Sequence, residues 1–198
     1  MTNQEEHGDI QEAIQKKYAQ VSETAAGVFS YPTGQEGADF LDYPLAKWPD
    51  LPDHLLESFC GVGNPFTLGP IEKGESVLDI GCGAGFDLYV ACQMVGKEGR
   101  VSGIDLTPEM VEKAQRNLED AACQADIRAA SSEAIPFETD TFDVVISNGV
   151  LNLSPLKEQT FSEIYRVLKP GGRLQFADSI STQELPAGTE KSLEAWSN

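Results

Sequence analysis

The sequence predicts an α/β fold built on a doubly wound, mostly parallel sheet. Two observations carry this. First, apolar strand-like runs recur at 76–81, 100–106, 125–131, 142–148 and 173–179, and helix-like patterns fill three of the gaps. Strands alternating with helices imply a parallel sheet covered on both faces. Second, "VLDIGCGAGFDLYVA" (77–91) runs from strand through a glycine turn into a helix. Such a turn lies at the carboxyl ends of the strands, where doubly wound sheets hold their ligands.

Taken in order, residues 1 to about 25 read as a helix, because Ile10, Ile14, Tyr18 and Val21 recur near helical spacing. Residues 27–70 are rich in Pro, Gly and aromatics. They read as an irregular flap over a site, with one short helix near His54 to Phe59. "SVLDIG" (76–81) opens the sheet, and a helix follows from Phe86 to Val95. "RVSGIDL" (100–106) is the second strand. At "TPEM", Thr107 suits a helix cap and Pro108 the first turn. "ADIRAAS" (125–131) is the third strand, and "SEAIPFETDT" leaves room for a short helix at most. "FDVVISN" (142–148) is the fourth strand. Phe161, Ile164, Tyr165 and Leu168 share a helix face that stops at "KPGG", and "RLQFADS" (173–179) is the fifth strand. The tail "STQELPAGTEKSLEAWSN" is polar and acidic until Leu193 and Trp196, enough for a linker and one short helix. The division is 1–70 N-terminal helix and flap, 71–180 ligand-binding core, and 181–198 tail.

A chain of 198 residues suits one domain with a sizeable core. With 14 basic against 32 acidic residues, the net charge of −18 repels phosphate backbones, so nucleic acid is not an expected partner. No apolar run approaches the ~20 residues a membrane span needs. The polar N-terminus "MTNQEEHGDIQEAIQKK" is not a signal peptide, so a cytoplasmic location with reduced thiols is expected. The cysteines, Cys60, Cys82, Cys92 and Cys123, form no C-x-x-C pair, and no metal site is expected.

The glycine turn narrows the ligand. A phosphate-binding loop needs Gly-Lys-Ser/Thr, which is absent. A dinucleotide fingerprint needs a third glycine where Phe86 stands, and Asp79 and Asp87 would sit badly beside a pyrophosphate. S-adenosylmethionine fits better. Its ammonium and sulfonium outnumber its one carboxylate, so nearby acids favour it. Asp105 ends the next strand about 20 residues past the glycines, where an acid can accept from both ribose hydroxyls. A bare strand–helix turn would leave Asp79, Gly81, Gly83, Gly85 and Asp105 in register by chance.

"VLDIGCGAG", "GIDLTPEM", "FDVVISN" and "YRVLKPGG" resemble the class I S-adenosylmethionine-dependent methyltransferases over about residues 55–180. "GNPFTLGPI", "DLTPEMVEKA" and "ISNGVLNLSPLKEQTFSEIYRVLKPGGRLQFAD" resemble the arsenite methyltransferase branch more than the related quinone-biosynthesis enzymes. The resemblance implies a Rossmann-like fold and a small-molecule acceptor. It places Asp79 and the backbone of Gly81, Cys82 and Gly83 around the methionine moiety, with Gly85 completing the turn. Asp105 would hold the ribose, and Leu106 and Met110 would flank the adenine. "SSEAIPF" would follow the adenine edge through Ser132 and the backbone of Glu133 and Ala134, with Ser131 where many relatives carry an acid. Asn148 would face the transferable methyl. The family sheet has seven strands and five are readable here, so C-terminal strands are expected to be missing. A truncated form, a natural minimal form, or completion by a second chain as a homodimer would each account for that.

An oxygen or amine acceptor needs a base. Neither His7 nor His54 matches a base position, and Asp178 is a candidate weighed against a plain strand-end acid. A thiolate, carbanion or arsenic(III) acceptor needs none. Family members hold arsenic(III) with three cysteines. One lies in "G-C-G-x-P", matched here by "GVGNP" with Val62, and one in "ISNC", matched by Gly149. The third would fall past Asn198.

Overall fold

The computed structural model describes residues 3–180, with side chains from residue 7 onward. The expected short helix near Leu193 and Trp196 lies outside the described residues. The sheet comprises β1 (Ser76–Ile80), β2 (Arg100–Asp105), β3 (Asp126–Ala129), β4 (Phe142–Asn148) and β5 (Leu168–Ala177), in the order β3-β2-β1-β4-β5. All four pairings are parallel. The chain winds outward from β1 to β3, then returns to the other side of β1 for β4. The switch point therefore falls between β1 and β4, where a crevice opens beyond the strand ends.

The helices are α1 (Asn3–Glu23), α2 (Gly34–Phe40), α3 (Phe86–Val95), α4 (Pro108–Asp120) and α5 (Lys157–Val167). The central strands are buried on both faces, and their alternation sorts side chains into two cores. Val77, Val101, Ile127, Val144 and Ile146 pack with Leu88, Val111, Ala114 and Leu118 from α3 and α4. Leu78, Ile80, Ile104, Phe142 and Val145 pack with Ile164 and Val167 from α5. A third cluster joins Tyr43, Leu56 and Phe59 to Phe86 and Val90 of α3. A fourth seats Val21 and Ala25 against Ala84 and Met110, which lays α1 beside the glycine turn.

Several expectations need correction. β3 has four residues, shorter than 125–131. The segment 27–70 contains α2, which sequence reading missed. "GQEGADF" carries two glycines, which disfavour helix, but the packing needs one of them, since a Cβ on Gly37 would lie 2.6 Å from the Pro32 carbonyl oxygen. Near His54 there is only a single 3₁₀ turn, Asp53–Leu55. "KPGG" is not a break before β5 but a bulge within it. Leu168 pairs with Phe142 and Arg173 with Val144, so the intervening residues loop out of register. Pro170 has no N–H for the ladder, and Gly171 adopts φ 83°. Thr107 stands at the start of α4 but makes no capping bond. Its hydroxyl bonds the Asp105 carboxylate instead.

The thiols also differ from expectation. Cys92 and Cys123 form a disulfide, with Cα atoms 6.4 Å apart, while Cys60 and Cys82 are free. The pair joins the end of α3 to the turn after α4, two points 31 residues apart that no short spacing motif reveals. Reduced thiols therefore no longer support a compartment assignment. No described helix is long and apolar enough to cross a membrane.

Candidate active site

Two adjoining cavities open at the carboxyl ends of β1, β2 and β4. The larger is lined by Gly81, Gly83, Asp105, Leu106, Met110, Ser131, Ser132, Glu133 and Asn148, among others. The smaller is lined by Asp79, Cys82, Asp87 and Phe59, and shares Gly81, Gly83, Cys60 and Asn148 with the first.

The turn after β1 shapes both cavities. Gly81, Gly83 and Gly85 all have positive φ, at 74°, 51° and 95°. Their surroundings differ. A Cβ on Gly81 would strike Val150 at 2.2 Å, and one on Gly85 would press Ala114 at 3.3 Å. Around Gly83 there is nothing within 4 Å. Gly81 and Gly85 are thus small because the protein packs on them, and Gly83 because it borders open cavity. Gly85 lines neither cavity and begins α3.

Asp105 ends β2 and is braced by two backbone donors. Gly83 N–H bonds its Oδ2 and Thr107 N–H its Oδ1, each at 2.9 Å. With the Thr107 hydroxyl as a third donor, the carboxylate keeps one of its roughly four acceptor sites for a further donor. Burial raises its pKa, and these bonds oppose the rise. Asp79 differs. It is 2 % exposed, and among the described residues its carboxylate has no hydrogen-bond partner. Burial, then the neighbouring Asp87 and Asp105, push its pKa well above the carboxylate range. A buried acid without a partner is costly, and this one borders the cavity. Asp87 is raised to about 6 by burial, against the bonds from Tyr43 and Asn148. Among the described residues, no lysine or arginine acts on these three acids. The site suits a cationic ligand.

The adenine-side residues divide. Met110 is buried, and Leu106, Ser131, Ser132 and Glu133 line the larger cavity. Ala134 is exposed and outside both, its N–H bonded to the Ser131 carbonyl. The Glu133 backbone is already engaged, N–H to Ser131 Oγ and carbonyl to Gln159 Nε2. Its side chain, which sequence reading gave no role, accepts from Ser154 Oγ at 2.5 Å, and Ser154 accepts from Thr160. Sequence reading also missed the wall that α1 supplies through Gln11, Ile14 and Tyr18. Gln15 Nε2 donates to the Leu106 carbonyl at 2.9 Å. The helical spacing of Ile14 and Tyr18 announced an apolar face but not what it covers.

Asn148 is held from several sides. Its Oδ1 accepts from Val62 N–H at 2.9 Å and Gly63 N–H at 3.1 Å, and its Nδ2 donates to the Gly63 carbonyl at 2.8 Å. Cys60 borders both cavities, and burial, reinforced by the Asp105 charge, pushes its thiol up to about 12. Asp178 lines neither cavity. It accepts from Asn152 N–H at 2.8 Å and Ser179 N–H at 2.7 Å, tying β5 to the exit of β4.

Comparison with known proteins adds to this geometry. A family described as methyltransferase domain matches residues 71–198. The chain belongs to the methyltransferase domain family. Within it, the chain is 38% identical over 161 residues to an arsenite methyltransferase of Halobacterium salinarum, covering 81% of this chain and 41% of that protein. It is 39% identical over 107 residues to a ubiquinone/menaquinone biosynthesis C-methyltransferase of Francisella tularensis subsp. novicida, covering 52% of this chain and 42% of that one. Among solved structures, an arsenic(III) S-adenosylmethionine methyltransferase from Chlamydomonas reinhardtii aligns with a TM-score of 0.64 and 37% identity, over 73% of this chain and 51% of the other. This methyltransferase domain spans about half the length, or less, of the curated relatives it matches. Its five-stranded parallel sheet is the Rossmann-like fold of class I methyltransferases.

Proposed function

We propose that this chain binds S-adenosylmethionine in the paired cavities and transfers its methyl group to a small-molecule acceptor. The observation that carries the reading is Asp79, a buried carboxylate without a partner, beside a glycine turn open only at Gly83. The bound group supplies a methyl on a positively charged sulfur, reactive toward in-line displacement. Asp79 and the turn would receive its cationic end. Asp105 keeps acceptor capacity for a ribose hydroxyl beside its bonds to Gly83 and Thr107. Leu106 and Met110 would bracket the base, with Ser131 and Ser132 on its edge. The chain's contribution to rate is alignment and exclusion of water.

Asp178, the base candidate just after β5, is committed to backbone donors and lines neither cavity. That favours an acceptor needing no proton removed: a thiolate, a stabilised carbanion or a soft lone pair. Arsenite is the acceptor the relatives' names suggest. A Cβ on Gly149 would sit 3.4 Å from the Val62 methyls, so the two positions matched to family cysteines are neighbours here, and neither has a thiol. Cys60 remains, but a thiol raised to about 12 is protonated at neutral pH and a poor ligand. We therefore expect S-adenosylmethionine binding without useful arsenite methylation, even with added thiols. Calorimetric titration with S-adenosylmethionine, followed by labelled methyl transfer to a panel including arsenite with glutathione, tests both statements. Absence of cofactor binding would overturn the reading, and ready formation of methylarsenicals would overturn the acceptor argument. A second reading, a cofactor-binding chain without turnover, is favoured by Val62 and Gly149, which leave the positions matched to family cysteines without thiols. Methyl transfer to any member of the panel excludes it.

A further inference from the structure

Asp87 lies in the first turn of α3, where an acid ordinarily serves the helix dipole. Its hydrogen bonds go elsewhere. Tyr43 Oη donates to Oδ1 at 2.7 Å, and Asn148 Nδ2 donates to Oδ2 at 3.1 Å. These partners lie 44 and 61 residues away in sequence. Asn148 in turn grips the backbone of Val62 and Gly63. Its amide orientation follows from the partners, since Oδ1 meets two N–H donors while Nδ2 meets a carbonyl and a carboxylate. Gly61 packs so closely on this amide that a Cβ there would lie 2.3 Å from Nδ2. Asp87 thus sits at the centre of a polar knot joining the segment after α2, the 61–63 backbone, the tip of β4 and α3.

We propose that Asp87, held by Tyr43 and Asn148, is a positioning residue that fastens the 61–63 backbone across the smaller cavity and presents a second negative charge there, beside Asp79, to a cationic ligand tail. The inference rests on the S-adenosylmethionine reading for the identity of that tail. A buried carboxylate is an expensive way to hold a fold together, and an apolar residue of similar size would pack at lower cost. Its place beside a second buried acid, with no cation near either among the described residues, makes sense where a ligand brings the positive charge. The knot also fixes Cys60, next in sequence to the fastened residues and a wall of both cavities.

The test separates the ligand's two ends. Adenosine fills the larger cavity and carries no cation, whereas S-adenosylmethionine extends into the smaller one. Affinities for both are measured by calorimetry on the whole chain and on Asp87→Asn and Tyr43→Phe, with amide hydrogen exchange at Val62 and Gly63 in the ligand-free proteins. Asp87→Asn is expected to weaken S-adenosylmethionine tenfold or more and adenosine less than twofold. Exchange at Val62 and Gly63 is expected to quicken at least tenfold in Asp87→Asn and to a lesser degree in Tyr43→Phe. Equal losses for both ligands would overturn the counter-charge and reduce Asp87 to a support of the fold, and unchanged S-adenosylmethionine affinity would overturn it as well. Unchanged exchange would overturn the fastening. If the unaltered chain binds adenosine but not S-adenosylmethionine, the cofactor reading fails and the counter-charge with it, while the exchange arm still decides the fastening.

Discussion

Asp105 and Gly83 are two halves of one device, since the glycine's N–H braces the carboxylate that would hold the ribose. Asp105→Ala should weaken S-adenosylmethionine binding by about 1.5–3 kcal/mol, because charge-assisted hydrogen bonds are lost. Unchanged affinity in a titration would reduce Asp105 to a brace for the turn. Gly83→Val should abolish binding with the fold retained. Its side chain would enter open cavity, and the φ of 51° costs a non-glycine residue about 1–2 kcal/mol. Circular dichroism checks the fold and calorimetry the binding. Asp87 carries a pH signature. Its folded pKa of about 6 lies above the unfolded value of roughly 3.9. Between those values the folded state keeps a proton that the unfolded state has released, so stability is present below the window and lost as pH rises through it. The loss is on the order of 3 kcal/mol in the ligand-free chain. Denaturation at pH 5 and pH 7.5 should therefore show Asp87→Asn gaining on the unaltered chain at the higher pH. A gain of the same size at both would mean that Asp87 titrates normally. The acids at 79, 87 and 105 were all visible in the sequence, but that Asp79 lacks a partner while Asp87 has two was not, because Tyr43 and Asn148 reach Asp87 only through the fold.

Among the elements, the strands were readable as short apolar runs, α4 and α5 by the helical spacing of their apolar residues, and α3 as an apolar stretch leaving the glycine turn. The failures are local. α2 is held by tertiary contacts of Gly37 and Ala38 rather than by propensity. The "KPGG" bulge belongs to β5 because Leu168 and Arg173 both find partners on β4, a fact of register and not of turn chemistry. The Cys92–Cys123 disulfide closes a loop of 31 residues between α3 and the turn after α4. Its reduction should lower the unfolding free energy by about 3–4 kcal/mol on chain-entropy grounds. Denaturant titration with and without reductant measures this. A change under about 1 kcal/mol would show that packing of Val111 and Leu118 against α3 already holds the two ends together.

For the whole molecule, a net charge of −18 must be borne by one small fold. Ion pairs such as Glu75–Arg173, Asp143–Lys169 and Glu163–Arg166 offset only part of it. Raising salt from about 50 mM to about 500 mM screens the remaining repulsion and should raise the melting temperature of the ligand-free chain. A fall would mean that the pairs outweigh the repulsion. The sequence by itself determined the sheet, its glycine turn and the acids at the ends of β1 and β2. These depend on short-range periodicity and on residues close together in the chain. Only the tertiary structure decided which glycine faces open space, that α1 walls the cavity, and that Val62 and Gly149 are neighbours. It alone also joined Cys92 to Cys123 and Asp87 to Asn148. Those facts arise from contacts between residues tens of positions apart, whose geometry is set by packing and leaves no periodic trace in the chain.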